Sequence, residues 1–101
     1  MALVANRFGG QGIYILDEPE AALSPMRQME LLCHIHRLVE EGSQFLISTH
    51  SPILMAYPGG EVLQLTEQGI TAISYEETEH FRLTRQFLNA PEKMCQYLFE
   101  K

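Results

Sequence analysis

The sequence predicts an α/β fold in which a right-handed β-α-β crossover joins two strands of a parallel sheet. Two short apolar runs, at residues 13–16 and 44–48, are typical of strands buried on both faces of such a sheet. A segment with helical periodicity lies between them, and a helix that connects two strands of one sheet almost always makes a right-handed crossover. The chain has 101 residues, which suffices for one compact domain and excludes two independent ones.

The helix of this crossover has clear signals at both ends. Ser24 is a good N-cap, and Pro25 fits the first helical position, where its missing N–H has no cost. Gly42 ends the segment, so we expect a helix over residues 25–41. One broad apolar face should pack on the sheet, with the two methionines filling the core. Its members are Met26, Met29, Leu32, Cys33, Ile35 and Val39.

The segments outside the crossover give weaker signals. Residues 1–8 have a mildly helical, apolar character, and Gly9, Gly10 and Gly12 predict a turn after them. Ser51 and Pro52 predict the beginning of a short helix. The remaining predictions are a hairpin of strands 61–65 and 70–74, and two helices at about 78–89 and 91–100.

Composition and charge exclude several classes of protein. The net charge of −6 comes from scattered acidic residues, which does not favour a broad nucleic-acid surface. Cys33 and Cys95 lie far apart without CxxC spacing, so we expect two reduced thiols. We find no basic segment followed by an apolar stretch at the N-terminus, and no apolar run of about 18 residues. We therefore expect a cytoplasmic location, with membrane contact only through another subunit.

Polar residues that can carry chemistry follow both predicted strands. Asp17 and Glu18 come directly after the first strand, and residues 48–50, which include His50, come after the second. The carboxyl ends of parallel strands meet at one edge of a sheet, which is the usual ligand site of open α/β folds. One carboxylate could hold hydrated Mg²⁺ and the other could orient or deprotonate a water molecule. A solvated turn remains the alternative for an isolated Asp-Glu pair.

These two segments resemble motifs of a known family. GIYILDEPEAALSP, at residues 12–25, resembles the Walker B segment and D-loop of ABC-type ATPases, and FLISTHSP, at residues 45–52, resembles their switch-histidine segment. The motifs have the order and spacing of the family and cover residues 12–52. The resemblance implies a P-loop NTPase-type parallel sheet and an ATPase whose cofactors are ATP and Mg²⁺.

The resemblance implies a role for four residues. Asp17 would bind Mg²⁺, and Glu18 would be the general base or the residue that positions water for attack on the γ-phosphate. Ser24 lies in the D-loop, which contacts a second copy across a head-to-tail nucleotide-sandwich dimer. His50 would reach the γ-phosphate as the switch residue. The residues expected to contact the nucleotide or its metal are thus Asp17, Ser24 and His50, and the catalytic pair is Glu18 and His50.

Details of the motifs favour one branch of this superfamily. Glu20 follows the proline, and Ser24 stands where transporter versions have a second Asp. The segment therefore looks more like soluble AAA ATPases of the RecF, SMC and OLD-like branch than like an ABC transporter subunit, which remains an alternative. No paired-acid motif after His50 resembles the additional metal-binding domain of an OLD-type nuclease.

Two motifs of the family are absent from the sequence. Lys93 and Lys101 are the only lysines, neither follows a glycine, and no G-x-x-x-x-G-K-[ST] phosphate-binding loop occurs. The signature motif is absent too. We therefore predict that residues 1–101 are the C-terminal portion of a larger ATPase domain whose N-terminal half carries the P-loop. The chain alone should then be inactive, and nucleic acid would be bound only through the larger protein.

Other functions stay open at this stage. The chain could be a non-catalytic, self-associating interaction module that exposes sheet surface. Asp17, Glu18 and His50 could instead form a metal hydrolase site without nucleotide. A metal site at Cys33, His34 and His36 is disfavoured, because adjacent and alternate residues of a helix point to different sides. We expect His34 to form solvated pairs and His36 to be partly buried and hydrogen-bonded.

Overall fold

A computed structural model describes the backbone of residues 2–5 and residues 12–100 in full. The strands are β1 (Ala2–Ala5), β2 (Gly12–Asp17), β3 (Ser43–Thr49), β4 (Glu61–Thr66) and β5 (Gly69–Ala72). The α-helices are α1 (Pro25–Glu40), α2 (Glu79–Asn89) and α3 (Pro91–Phe99). Short 3-10 turns lie at Pro19–Ala22, Leu54–Ala56 and Tyr75–Glu77. The crossover helix, the hairpin and the two late helices are confirmed to within two residues at each end.

The sheet is mixed, which corrects the prediction of a parallel sheet. Its strand order is β2-β3-β1-β4-β5. β2 and β3 are parallel, as predicted, with α1 between them in sequence. β1 is antiparallel to both β3 and β4, and β4 is antiparallel to β5. The last pairing follows from the tight turn at Glu67 and Gln68, which reverses the chain between neighbouring strands.

The prediction for residues 1–8 was wrong where the structure describes them. Residues 2–5 form β1 and pair on both sides, with β3 and with β4. Pairing with two partners is a non-local interaction that outweighs weak helical propensity in so short a segment. The predicted turn at Gly9 and Gly10 lies outside the described residues, and Gly12 begins β2.

Helix α1 begins and ends as its sequence signals predict. The Ser24 side chain accepts a hydrogen bond from the Arg27 backbone N–H at 3.2 Å, and Pro25 occupies the first turn. The helix ends at Glu40, and Gly42 has a φ of 97°, which only glycine adopts readily.

The core lies on one face of the sheet. Phe45 and Ile47 of β3 are buried against Ile35 and Val39 of α1. Met55, Tyr57 and Val62 complete this cluster. Of the predicted apolar face of α1, only its C-terminal half is buried. Met26 and Met29 are 66% and 49% exposed, so the prediction that they fill the core was wrong.

A further correction concerns β2, which was predicted to be buried on both faces. Ile13 and Ile15 are 72% and 74% exposed. Their neighbour Tyr14 points to the opposite face and stacks on Phe45, with ring centroids 4.8 Å apart. β2 is an edge strand, and nothing among residues 12–100 covers the face that carries these two isoleucines. The core layer therefore covers one side of this strand only.

Candidate functional site

The parallel pairing of β2 and β3 brings the two predicted motif segments together. Asp17 and Ser48 are register partners at the ends of the two strands. The next residue, Glu18, donates its backbone N–H to the Ser48 carbonyl at 2.6 Å. Residues 17–18 and 48–50 therefore converge at one edge of the sheet, as the sequence predicted.

Glu18 has an unusual backbone conformation at this edge. Its φ and ψ are 45° and 56°, in the left-handed region, and among the described residues it alone has a positive φ without being glycine. A side chain with a Cβ adopts this region at an energetic cost. The conformation turns the chain sharply out of β2 and into the Pro19–Ala22 turn, so it is one of the causes of the site's geometry.

The two predicted catalytic side chains are in direct contact. His50 Nδ1 lies 2.8 Å from Glu18 Oε1. Both side chains are about half exposed, at 50% and 47%, so the pair is accessible to water. An Nδ1–H donated to the carboxylate fixes the imidazole orientation and leaves the second Glu18 oxygen available to another donor.

A third side chain, Glu20, joins this pair and was not predicted as a site residue. Its Oε1 accepts a hydrogen bond from the Thr49 hydroxyl at 2.7 Å, and its Oε2 accepts one from the His50 backbone N–H at 3.0 Å. Burial raises the pKa of the Glu20 carboxyl, but the His50 and Thr49 hydrogen bonds outweigh burial, and the net pKa is lowered. Glu20 is therefore held as a carboxylate between the two motif segments.

The ligand atoms of Glu18, Glu20 and His50 lie within 4.8 Å of one another. Such a set could in principle hold a cation, because carboxylate and imidazole groups are common ligands. Both oxygens of Glu20 already accept hydrogen bonds, and His50 Nδ1 already pairs with Glu18. The three side chains are therefore held together by their own hydrogen bonds.

A further chain of hydrogen bonds extends from Thr49 toward α1. Thr49 is fully buried, and its hydroxyl accepts from the Ser51 backbone N–H at 2.9 Å. The Ser51 hydroxyl donates to Gln28 Oε1, and Gln28 Nε2 donates to the Leu23 carbonyl at 3.1 Å. Residues 49–51 are thus tied to the segment that precedes α1 as well as to Glu20.

The C-terminal part of the chain also reaches the site. The rings of His50 and His80 lie 5.6 Å apart between centroids, with an interplanar angle of 48°. His80 belongs to the first turn of α2. Burial lowers the pKa of His80, the nearby His50 lowers it further, and Glu79 opposes the shift in part. Sequence reasoning missed His80, because no motif connects a residue of α2 with the end of β3.

The side chains of Asp17 and Ser24, the other predicted site residues, form no hydrogen bond with this group among the described residues. Asp17 is exposed at the end of β2. Its register partner Ser48 has a buried hydroxyl with no hydrogen-bond partner among the described residues. Asp17 and Ser48 thus provide oxygen atoms of the hard type that Mg²⁺ prefers, which fits the predicted metal. Ser24 is exposed, and its hydroxyl caps α1.

The remaining histidines and cysteines do not form a metal site among the described residues. His34 is exposed and pairs with Arg37 at 3.0 Å, as expected of a solvated residue. His36 is hydrogen-bonded to the Tyr57 hydroxyl at 2.9 Å, but it is exposed, so its predicted partial burial was wrong. Cys33 and Cys95 are both free.

Comparison with known families identifies the family of this chain. A model of the AAA ATPase domain matches residues 5–55, which is half of the chain and includes the whole β2-α1-β3 unit. The chain therefore belongs to the AAA ATPase domain family, and its function is related to ATP. No curated protein and no solved structure matches the chain. No helix among the described residues is long and apolar enough to cross a membrane.

Proposed function

We propose that this chain supplies the Walker B, D-loop and switch-histidine half of a nucleotide-hydrolysing site in an ATPase of the ABC type, in the RecF, SMC and OLD-like branch. The contact between Glu18 and His50, at 2.8 Å, carries the proposal. It brings together a general base and a hydrogen-bond donor from two strand ends, which is the arrangement that water activation beside a phosphate requires.

The roles of the residues follow from their chemistry. Mg²⁺ would be held by Asp17 and would neutralise charge on the transferred phosphoryl group. Glu18 would orient or deprotonate the attacking water with the oxygen that His50 does not use. His50, as an imidazolium with a proton on each ring nitrogen, would keep its Nδ1–H on Glu18 and donate its Nε2–H toward the γ-phosphate. Ser24 and the D-loop would face the nucleotide and a second copy in a head-to-tail dimer.

The proposal also requires a phosphate-binding loop from elsewhere. The sequence has no G-x-x-x-x-G-K-[ST] motif, and phosphoryl transfer depends on positioning and charge neutralisation by all parts together. We propose that residues 1–101 act with an N-terminal half that contains this loop. The exposed face of β2, with Ile13 and Ile15, supports this proposal, because apolar side chains of a sheet are normally covered by another layer.

Isothermal titration with Mg-ATP tests this division of the site. The 101 residues alone should bind Mg-ATP weakly and hydrolyse none. A polypeptide in which the chain is preceded in frame by a P-loop and signature motif should hydrolyse ATP, and Glu18→Gln should abolish turnover while leaving binding intact. Tight binding by the chain alone would contradict the proposal, as would full hydrolysis by the Glu18→Gln variant.

The exposed isoleucines of β2 also favour a second candidate, a self-associating interaction module without catalysis. Such a module would associate through the sheet and would not depend on Glu18. Size-exclusion chromatography with light scattering tests the module. A chain that is monomeric at all concentrations argues against it, and association that persists in the P-loop-containing polypeptide irrespective of Mg-ATP supports it.

A further inference from the structure

Glu20 is the side chain that links the two halves of the candidate site. It lies in the Pro19–Ala22 turn, directly after the left-handed residue Glu18. From there its two oxygens reach the end of β3, where one binds the Thr49 hydroxyl and the other the His50 backbone N–H. Glu20 thus contacts the backbone of the residue whose imidazole pairs with Glu18.

We propose that Glu20 is a positioning residue that clamps the end of β3 to the Pro19–Ala22 turn and holds the His50 imidazole against Glu18. This proposal rests on the proposed function, because only that function makes the Glu18–His50 pair part of catalysis. The hydrogen bonds of the clamp involve a charged acceptor, and such bonds are about twice as strong as neutral ones. They restrain the His50 backbone directly at its N–H.

Burial at the far end of the clamp makes its geometry rigid. Thr49 has no exposed surface, and its hydroxyl is held from the other side by the Ser51 backbone N–H. A fully buried side chain with two hydrogen-bond partners cannot easily change rotamer. The Thr49 hydroxyl therefore has a fixed position. Because the Glu20 carboxylate binds both this hydroxyl and the His50 backbone N–H, it restrains the exposed His50 as well.

The clamp also connects His50 with the predicted D-loop. Glu20 shares its 3-10 turn with Ala22, and the Leu23 backbone N–H donates to the Glu20 carbonyl at 2.9 Å. The D-loop segment at residues 22–25 therefore continues directly from the turn that carries Glu20.

NMR spectroscopy of the 101-residue chain without nucleotide tests the clamp. In Glu20→Ala we expect the His50 amide to exchange about fivefold faster or more, because its acceptor is gone. The fraction of His50 rings with the proton on Nδ1 should fall. Glu67→Ala is the matched control, since Glu67 is exposed in the hairpin turn and has no side-chain partner among the described interactions. It should change neither signal.

Variants at Thr49 test the same link if Glu20→Ala does not fold. Thr49→Val removes the hydroxyl at nearly constant volume and should shift both His50 signals in the same direction as Glu20→Ala. Thr49→Ser keeps the hydroxyl and should restore them. Unchanged His50 signals in a folded Glu20→Ala or Thr49→Val variant would overturn the proposal, whatever the change in stability.

These measurements also separate the clamp from the proposed function. They need no nucleotide, so a change in the His50 signals supports the clamp even if the P-loop-containing polypeptide fails to hydrolyse ATP. In that polypeptide, Glu20→Ala should lower kcat at least about tenfold with little change in KM, as expected for lost positioning of a group that acts in the chemical step. An unchanged kcat would overturn the catalytic value of the clamp and leave the ATPase proposal standing.

Discussion

The left-handed backbone of Glu18 places conformational strain at the residue that we propose for water activation. Strained residues of this kind persist only where the surrounding structure holds them. Here the Glu18 N–H bonds to the Ser48 carbonyl, and its side chain bonds to His50. The cost of the conformation is therefore balanced by contacts to β3, and the conformation aims the carboxylate at the edge of the sheet.

Comparison of Glu18→Gly with Glu18→Ala isolates that strain. Both variants lose the side chain, but glycine adopts a φ of 45° without a Cβ clash. We expect Glu18→Gly to be more stable than Glu18→Ala by about 1 kcal/mol, measured by urea unfolding. Equal stability of the two variants would show that the left-handed conformation carries no strain.

The lowered pKa values of His80 and Glu20 predict that the free energy of unfolding falls in acid. Burial and His50 lower the pKa of His80 from 6.5, so the unfolded chain binds a proton more readily than the folded one. The contribution of His80 to the free energy of unfolding is fully present above pH 6.5, and it is lost as the pH falls through the pKa of the folded state. The pKa of Glu20 is lowered from 4.5, so protonation of Glu20 adds a second loss of stability below pH 4.5.

Urea unfolding between pH 7.5 and 5 measures the His80 contribution. His80→Gln should flatten the loss of stability over this interval, because the variant has no imidazole to titrate at that position. His34→Gln is the control, since His34 is exposed on α1 and its hydrogen-bond partner is Arg37, outside the site. A His80→Gln variant with the wild-type pH slope would contradict the prediction.

The sequence predicts those site residues that directly follow the two strands, because the ends of parallel strands meet at one edge of the sheet. Two apolar runs joined by a helix suffice to bring Glu18 and His50 to one edge. The role of Glu20 was not predictable in this way, because it depends on the left-handed turn at Glu18 and on the 3-10 turn after it. Propensity would not place a glutamate in the left-handed region, so only the structure reveals this contact.

Local signals account for the elements that were predicted well. The Ser-Pro start and glycine end of α1, and the tight turn between β4 and β5, act within a few residues of the chain. β1 has no such signal, since four residues form a strand only by pairing with both β3 and β4. Non-local pairing explains why the helical character of residues 1–8 misled the prediction.

The N-cap of α1 gives a test at the level of this element. Ser24→Ala removes the acceptor of the Arg27 N–H and should destabilise the chain by about 1 kcal/mol in urea unfolding. Ser74→Ala is a matched control, because Ser74 precedes the Tyr75–Glu77 turn without a side-chain cap. A Ser74→Ala variant that loses as much stability as Ser24→Ala would show that the cap is not the cause.

At the scale of the whole molecule, the edge strand β2 is covered on one face only among the described residues. The sequence of β2 is apolar at four consecutive positions, which is typical of a strand with layers on both faces. In the structure Leu16 packs against the core and Tyr14 stacks on Phe45, but Ile13 and Ile15 are exposed. The sequence therefore predicts a second layer, and the structure shows the surface that such a layer would cover.

This surface should make the 101-residue chain self-associate when no other layer is present. Ile15 is 74% exposed beside Ile13, and exposed apolar sheet surface promotes association. Ile15→Lys should shift the chain toward monomer in size-exclusion chromatography with light scattering, because a charge opposes burial of the strand. Leu88→Lys is the control, since Leu88 is 68% exposed on α2. If association persists in Ile15→Lys but disappears in Leu88→Lys, the surface that mediates self-association lies on the helices and not on β2.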